Sequence, residues 1–405
     1  MNMPQIAFVI SSQRLLYQTI KVTITGFENL LNPDMFDYKT LAVKGVQKLS
    51  PYIPGKPISE LEREMGISNI IKLASNENPL GSSPKAIEAM QKVITEIELY
   101  PDGNGFELKK ALSAKHNISI DGITLGNGSN DVLVLLAEAF LTPELNAVYS
   151  QYCFAVYPLA IQAVGATHKQ IPAKSWDSDS PLGHDLEAMF DAIDENTRLV
   201  FIANPNNPTG NHLSESELKN FIAKVPENVI VVVDEAYLEY SSDDEIVDAS
   251  LWLSEFNNLV VTRTFSKAYG LAGLRVGYAL SNPDIANVLN RIREPFNVNS
   301  LALAAAQAAI DDKDFLQKSL VENREGMQIL QQTCEKLDLR FVPSKGNFLL
   351  VDFAQESSGI YMELLKRGII TRPVGNYGLP NYLRITIGTQ AQMQRLDKAM
   401  EEVCG

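Results

Sequence analysis

The chain has 405 residues, 45% of them hydrophobic and 21% charged, with a formal net charge of -14. That length can bury a large core and suits two domains, while the acidic balance excludes general attraction to nucleic acid or anionic membrane, so a phosphorylated ligand must be held by local cations. Cys153, Cys334 and Cys404 are widely spread, the 4 histidines are scattered and no apolar run is long enough to span a bilayer, which argues against a disulfide framework, a metal site and a membrane anchor, and for a reducing, cytoplasmic setting.

Residues 1–35 contain the short apolar run Ile6-Ala7-Phe8-Val9-Ile10 with no basic residue before it. They are expected to form a loosely attached extension rather than a signal peptide. Pro51-Tyr52-Ile53-Pro54-Gly55-Lys56-Pro57 reads as a stiff, extended arm, because proline fixes φ and disfavours helix in the residue before it. A helix over 59–65 and a strand over 70–73 lead into the amide-rich loop Ala74-Ser75-Asn76-Glu77-Asn78-Pro79-Leu80-Gly81. Ser83-Pro84 then starts a helix whose spacing puts Ile87, Met90, Ile94 and Ile97 on one face. Tyr100 lies in a turn-rich loop before a helix over 106–116. The strand Ile123-Thr124-Leu125 enters Gly126-Asn127-Gly128-Ser129-Asn130 and an apolar helix over 131–141. A glycine turn opening a helix offers free N–H groups and the positive end of the dipole, which suits a phosphate, although alone such a turn is more often only a turn. After the strand at 147–149 come Tyr152, Phe154 and Tyr157, which either pack the core or supply one ring to stack on a planar ligand.

A repeating pattern follows. The apolar strand 198–203 runs into Asn204-Pro205-Asn206-Asn207-Pro208-Thr209-Gly210, and a helix starts at Ser214 with Glu217 placed for a capping box. The strand 229–233 ends in Asp234-Glu235-Ala236-Tyr237, and the strand 259–262 runs into Thr264-Phe265-Ser266-Lys267, followed by Arg275. Continuous apolar strands alternating with helices predict an α/β domain around a mostly parallel sheet, with its ligand at the carboxyl ends of the strands. All three strands carry their polar residues at that end. A lysine beside a buried strand must snorkel or lose its proton, and a neutral lysine can form a Schiff base with a carbonyl. An aspartate after five apolar residues is costly unless it meets a cation. A pyridinium nitrogen is such a cation, so the pair points to pyridoxal phosphate. Beyond residue 281 the helices and the strands at 348–351 and 382–387 predict a second, smaller α+β domain, and the alanine-rich helix near 300–312 is expected to pack tightly.

The stretch 204–210, the Asp234-x-x-Tyr237 pair and Ser266-Lys267 through Arg275, in this order and spacing, resemble the motifs of fold-type I, class I/II aminotransferases over roughly residues 40–405. Within that superfamily Asn76 to Gly81, Tyr100-Pro101-Asp102, Gly126 to Asn130, Asn347-Phe348, and Arg372 with Arg384 are similar to the histidinol-phosphate aminotransferase family. The extension over 1–35 lies outside the resemblance, which implies an arm over 36–75 packing with the small domain, a large cofactor-binding domain over 76–295 and a small domain over 296–405. It further implies that Lys267 holds pyridoxal 5'-phosphate and moves a proton, and that Asp234 keeps the pyridine nitrogen protonated. Asn207 and Tyr237 would bond the ring's phenolic oxygen, and Phe154 would stack on the ring. Gly128, Ser129, Asn130, Thr264, Ser266 and Arg275 would hold the phosphate, although the family's usual acidic residue is Asn130 here. Tyr100 would reach the neighbouring subunit's site in an obligate homodimer. Tyr52, Asn78, Arg372 and Arg384 would meet the substrate, with Arg384 serving glutamate's carboxylate and histidinol phosphate's phosphate in turn. The implied activity is glutamate-dependent transamination of imidazole-acetol phosphate in histidine biosynthesis. An aromatic amino-acid aminotransferase and a threonine-phosphate decarboxylase share nearly all these motifs and remain alternatives. A cofactor-binding regulator would be expected to carry a basic DNA-binding module, which the N-terminal segment does not resemble.

Overall fold

The computed structural model describes residues 37–51, 54–241 and 247–405. The apolar runs become strands β1 (Ile71–Lys72), β2 (Ile123–Gly126), β3 (Asn146–Ser150), β4 (Thr167–Ile171), β5 (Thr197–Ala203), β6 (Ile230–Asp234), β7 (Leu259–Thr264) and β8 (Gly277–Ser281). All but β1 form a seven-stranded sheet in the order β2-β8-β7-β6-β5-β3-β4. The pairings among β3 to β7 are parallel, while β8 runs antiparallel to both β7 and β2. The reversal arises because the chain after Lys267 returns through a short 3-10 turn, Ala272–Leu274, instead of a crossover helix. β4 carries no apolar run: as the edge strand its Thr-His-Lys-Gln-Ile side chains are exposed or half-buried, so no burial pattern marks it.

Alternation along the strands divides the core between the two sheet faces. Val200, Ile202, Val231, Val233 and Val261 pack on one side with Leu218, Phe221 and Ile222 of the helix Glu215–Lys224. Leu199, Phe201, Val232 and Val260 pack on the other with Val132, Leu133 and Leu136 of the helix Ser129–Phe140. Alanine in the helix Ser300–Ile310 permits close packing: Ala302, Ala305, Ala306 and Ala309 are buried in the first of these clusters. That helix, expected in the second domain, therefore shares the core of the large sheet.

The rest of the chain adds β9 (Arg340–Val342), β10 (Phe348–Asp352), β11 (Ile369–Ile370), β12 (Arg372–Val374) and β13 (Leu379–Thr386). β12-β13-β10-β9 make an antiparallel sheet, and β1 pairs in parallel with β11. Ile71 and Leu73 share a core cluster with Leu349, Val351, Ile385 and the helices Lys313–Lys336 and Gln390–Cys404. Residues 37–48 belong to a separate unit, described here by its 3-10 turn Tyr38–Leu41 and its helix Lys44–Gln47.

One predicted face is covered only in part: Met90 packs half-buried against the core. In the helix Pro84–Val93 Ala86 is buried, but Ile87, Ile94 and Ile97 are 42%, 52% and 66% exposed. The α-helix gives way to a 3-10 turn at Ile94–Glu96, which changes the period from 3.6 to 3 and swings the later side chains away. Leu99, Tyr100 and Phe106, next along the chain, are exposed as well.

Behind the strand ends, Arg263 of β7 donates through Nε and Nη2 to Glu235 Oε2 at 2.9 and 2.7 Å, and through Nη2 to Asp248. Both Arg263 and Glu235 are buried. Removing one partner leaves a buried charge alone. Arg263→Leu is therefore expected to lower stability by about 3–5 kcal/mol, read from the midpoint of urea unfolding; an unchanged midpoint would mean the pair contributes nothing.

Candidate active site

The carboxyl ends of β5, β6 and β7 open into a cavity of about 280 Å³. Its wall includes Asn207 from the loop after β5, Asp234 and Tyr237 from the end of β6, Thr264, Ser266 and Lys267 from the end of β7, and Arg372 and Arg384 from the C-terminal sheet. Parallel pairing brings the three ends to one edge, since Asp234 lies opposite both Ala203 and Thr262 in register. Residues from Asn207 to Arg384 thus share one space.

Lys267 is half-buried and donates to the Ser75 carbonyl at 3.1 Å. Desolvation first, then the positive charge of Arg384, depress its pKa from 10.5 to about 7. Asp234 is buried, which pushes its carboxyl up from the usual range. Donors oppose this: Tyr157 Oη gives to Oδ2 at 2.9 Å and Thr262 Oγ1 to Oδ1 at 3.0 Å. Tyr237 Oη accepts from Asn76 Nδ2 at 2.9 Å and from Asn207 Nδ2 at 3.2 Å, leaving its own proton for an acceptor. Burial pushes the Tyr237 phenol up to about 12.

Arg384 donates through Nη1 to Asn207 Oδ1 at 2.6 Å and through Nη2 to the Ala74 carbonyl at 2.8 Å. Its buried Nε has no hydrogen-bond partner among the described residues. A guanidinium seldom leaves a buried donor unmet, so this edge suits an arriving anion.

A second set of donors gathers where the helix Ser129–Phe140 begins. Gly128 takes φ +77°, and a Cβ there would stand 2.5 Å from Arg275 Nη2, so only glycine lets the guanidinium lie over the turn. Arg275 Nη1 donates to Ser266 Oγ at 3.3 Å, and Thr264 Oγ1 donates to the same oxygen at 2.9 Å. Ser129 and Asn130 line the cavity beside them. Helix N-terminus, hydroxyls and guanidinium together form a donor set for a phosphate.

A sequence model of the aminotransferase class I and II family matches residues 68–400. The chain belongs to that family. Histidinol-phosphate aminotransferase 2 of Pseudomonas fluorescens is 56% identical over 369 residues, which are 91% of this chain and 98% of that protein. Histidinol-phosphate aminotransferase 2 of Pseudomonas aeruginosa is 54% identical over 371 residues, 91% and 99% of the two chains. The crystal structure of histidinol-phosphate aminotransferase from Sinorhizobium meliloti, in complex with pyridoxal-5'-phosphate, matches with a TM-score of 0.82 at 28% identity, over 92% of this chain and 98% of that one.

For a class I and II aminotransferase the expected residues fall into three groups. Lys267, Asp234, Tyr237, Asn207, Phe154, Ser129, Asn130, Thr264, Ser266, Arg275, Arg372 and Arg384 line the cavity, and Gly128 is the N-cap of the helix that starts at Ser129. The described residues of the wall do not include Tyr100 or Asn78. Tyr100 is 83% exposed and stacks on Phe296 at 4.8 Å. Asn78 is turned inward, donating to Ala268 O and Ser319 Oγ and accepting from Leu80 N–H, so its side chain holds the loop rather than facing a ligand. Tyr52 lies outside the described residues. From that loop Ala74, Ser75, Asn76 and Glu77 reach the wall instead, and Asn76 takes a left-handed φ of 56°, a conformation asparagine tolerates. Tyr157 and Thr262, the partners of Asp234, carried no motif of their own. Among the described residues no helix is long and apolar enough to cross a membrane, and no cluster of metal-ligating side chains is found.

Labelling of the apoprotein by an amine-directed reagent, followed by mass spectrometry across pH, is expected to give Lys267 a midpoint near 7. Arg384→Leu is expected to move that midpoint upward. A midpoint at 10.5, the ordinary lysine value, would remove the desolvated lysine from the site.

Proposed function

We propose that the chain is a pyridoxal-phosphate-dependent transaminase that moves an amino group between glutamate and imidazole-acetol phosphate, giving histidinol phosphate and 2-oxoglutarate in histidine biosynthesis. The observation that carries the reading is a single cavity holding Lys267, Asp234 and two arginines, in a chain 54–56% identical to proteins named for that reaction. The residues present fit the cofactor. Lys267 is the desolvated amine a carbonyl needs, Asp234 is a buried carboxylate open to a cation, and the Gly128–Ser129 turn with Arg275 is cradled for a phosphate.

When bound, the cofactor supplies an electron sink that makes the substrate's Cα–H acidic. Lys267 would hold it through its amine and would carry the proton between the substrate's Cα and the cofactor's C4′ carbon. Asp234 keeps the ring nitrogen protonated. Tyr237 and Asn207 would donate to the ring's phenolic oxygen, and Phe154 would stack on its face. Ser129, Asn130, Thr264, Ser266 and Arg275 hold the phosphate. Arg384, with Arg372 beside it, binds glutamate's carboxylate and histidinol phosphate's phosphate in turn, because a guanidinium fork fits carboxylate and phosphate alike. The cytoplasm is the setting in which we place this activity. We assign the large sheet to cofactor binding and the C-terminal sheet to substrate anions.

Single-turnover absorbance on the cofactor-loaded protein tests the assignment. Histidinol phosphate is expected to convert the bound cofactor rapidly, and phenylalanine and threonine phosphate slowly or not at all; equal conversion by phenylalanine would make this an aromatic aminotransferase. Lys267→Ala is expected to abolish turnover while cofactor still binds non-covalently.

The reading includes a homodimer with shared sites. Ile87, Ile94, Ile97, Leu99, Tyr100 and Phe106 are exposed apolar side chains on neighbouring stretches of the chain, and an exposed apolar patch suits a protein partner. Mixing Lys267→Ala protein with Tyr100→Ala protein, after dissociation and reassembly, is expected to recover activity well above either variant alone, since one site of the mixed dimer is then intact. No recovery would detach Tyr100 from the partner's site.

A further inference from the structure

Tyr157 sits in the helix Val156–Ala163 and is 1% exposed. Its phenol donates to Asp234 Oδ2 at 2.9 Å, while Thr262 from the adjacent strand donates to Oδ1 at 3.0 Å. The two carboxylate oxygens are therefore gripped from different elements, and the carboxylate plane cannot rotate without losing one bond. The Tyr157 ring also stacks on Phe201, 4.8 Å away and tilted by 14°, and presents itself edge-on to Phe154 at 6.0 Å and 86°. Phe154 lines the cavity, whereas Tyr157 is not among the described residues of its wall. One side chain thus supports two others that face the ligand space.

We propose that Tyr157 is a positioning residue: its hydroxyl fixes the Asp234 carboxylate toward the cofactor's ring nitrogen, and its ring braces Phe154 against the cofactor's face. This rests on the pyridoxal phosphate reading above. Tyr157 stays a donor throughout the working range, because burial, then the charge of Asp234, hold its proton on. The other titratable groups facing the pair are Lys267, Tyr237 and Cys153. The hydroxyl and the ring do separable work. The first acts on the protonation of the ring nitrogen and the second on the orientation of the ring.

The experiment compares wild type, Tyr157→Phe and Tyr157→Leu, each checked as apoprotein by far-ultraviolet circular dichroism. Pyridoxal phosphate is titrated into each, and the visible absorbance and circular dichroism of the bound cofactor are followed across pH. Tyr157→Phe is expected to weaken cofactor binding roughly ten- to a hundredfold, the effect of one charge-assisted hydrogen bond. The pH midpoint of the colour change is expected to rise, because a less firmly protonated ring withdraws less charge. The visible circular dichroism stays, since the ring brace remains; Tyr157→Leu loses it as well. Tyr157→Phe that binds within twofold of wild type with an unmoved midpoint overturns the hydroxyl's role. Unchanged circular dichroism in Tyr157→Leu overturns the brace. Should Tyr157→Phe not fold, Tyr157→His, which keeps a ring and an N–H donor, decides: affinity within a few-fold of wild type supports the proposal, and affinity as weak as Tyr157→Leu overturns it. A wild-type protein that takes up no pyridoxal phosphate would overturn the cofactor reading itself and this inference with it, a result visible before any variant is made.

Discussion

Desolvation of ionisable groups at the ends of β5, β6 and β7 is the constraint on which the molecule turns. Lys267 is driven toward its neutral form, and burial works against the charge of Asp234 and of the Tyr237 phenolate alike. A buried polar group without partners costs about 1–3 kcal/mol, so each is tolerated only inside a set of fixed donors and acceptors. Asp234 has Tyr157 and Thr262; Tyr237 has Asn76 and Asn207. The reactivity proposed for the site depends on the same imbalance. A lysine that keeps its proton poorly is a nucleophile and a base, and a carboxylate starved of water holds a ring cation more firmly.

Those sets are built from distant segments, and Asn76 is where they meet. Its backbone N–H donates to Thr386 Oγ1 at 2.9 Å, its Oδ1 accepts from the same hydroxyl, its carbonyl accepts from Asn347 Nδ2 at 3.0 Å, and its own amide reaches Tyr237. Arg384, two residues before Thr386 on β13, closes a parallel route to Asn207 and the Ala74 carbonyl. The C-terminal sheet is therefore pinned to the large one through groups that line the cavity. In the proposed reaction an anion arriving at Arg384 meets a side chain already bonded to Asn207, so substrate and cofactor contacts are joined by two hydrogen bonds.

The chain is acidic as a whole, at -14, yet its cavity wall carries Lys267, Arg275, Arg372 and Arg384 against Asp234 and Glu77. A low-dielectric cleft lined by one sign of charge concentrates the opposite sign. The local field thus favours phosphates and carboxylates where the surface at large would repel them. The exposed apolar face around Tyr100 is a second departure from an ordinary monomer surface, and it lies on the loop and helices that precede the phosphate-binding turn.

The local chemistry was legible in the chain itself. Five apolar residues before Asp234, a polar tail on each of three successive strands, and Gly128 before a helix follow from burial and backbone rules that act over a few residues, and they placed Lys267, Asp234, Asn207, Tyr237 and Arg275 at one sheet edge. Strand β4 escaped because an edge strand need not be apolar, and nothing in the loop's sequence tells Asn76, which lines the cavity, from Asn78, whose side chain is held by Ala268 and Ser319. Ile87, Ile94 and Ile97 looked like core residues because periodicity reports an apolar face, not what covers it. The antiparallel return of β8, the sharing of the alanine-rich helix with the large sheet, and the hold of Tyr157 and Thr262 on Asp234 were decided only by tertiary structure. Each depends on contacts between residues far apart in the chain, and the geometry of such contacts is set by packing, which no local pattern of residues encodes.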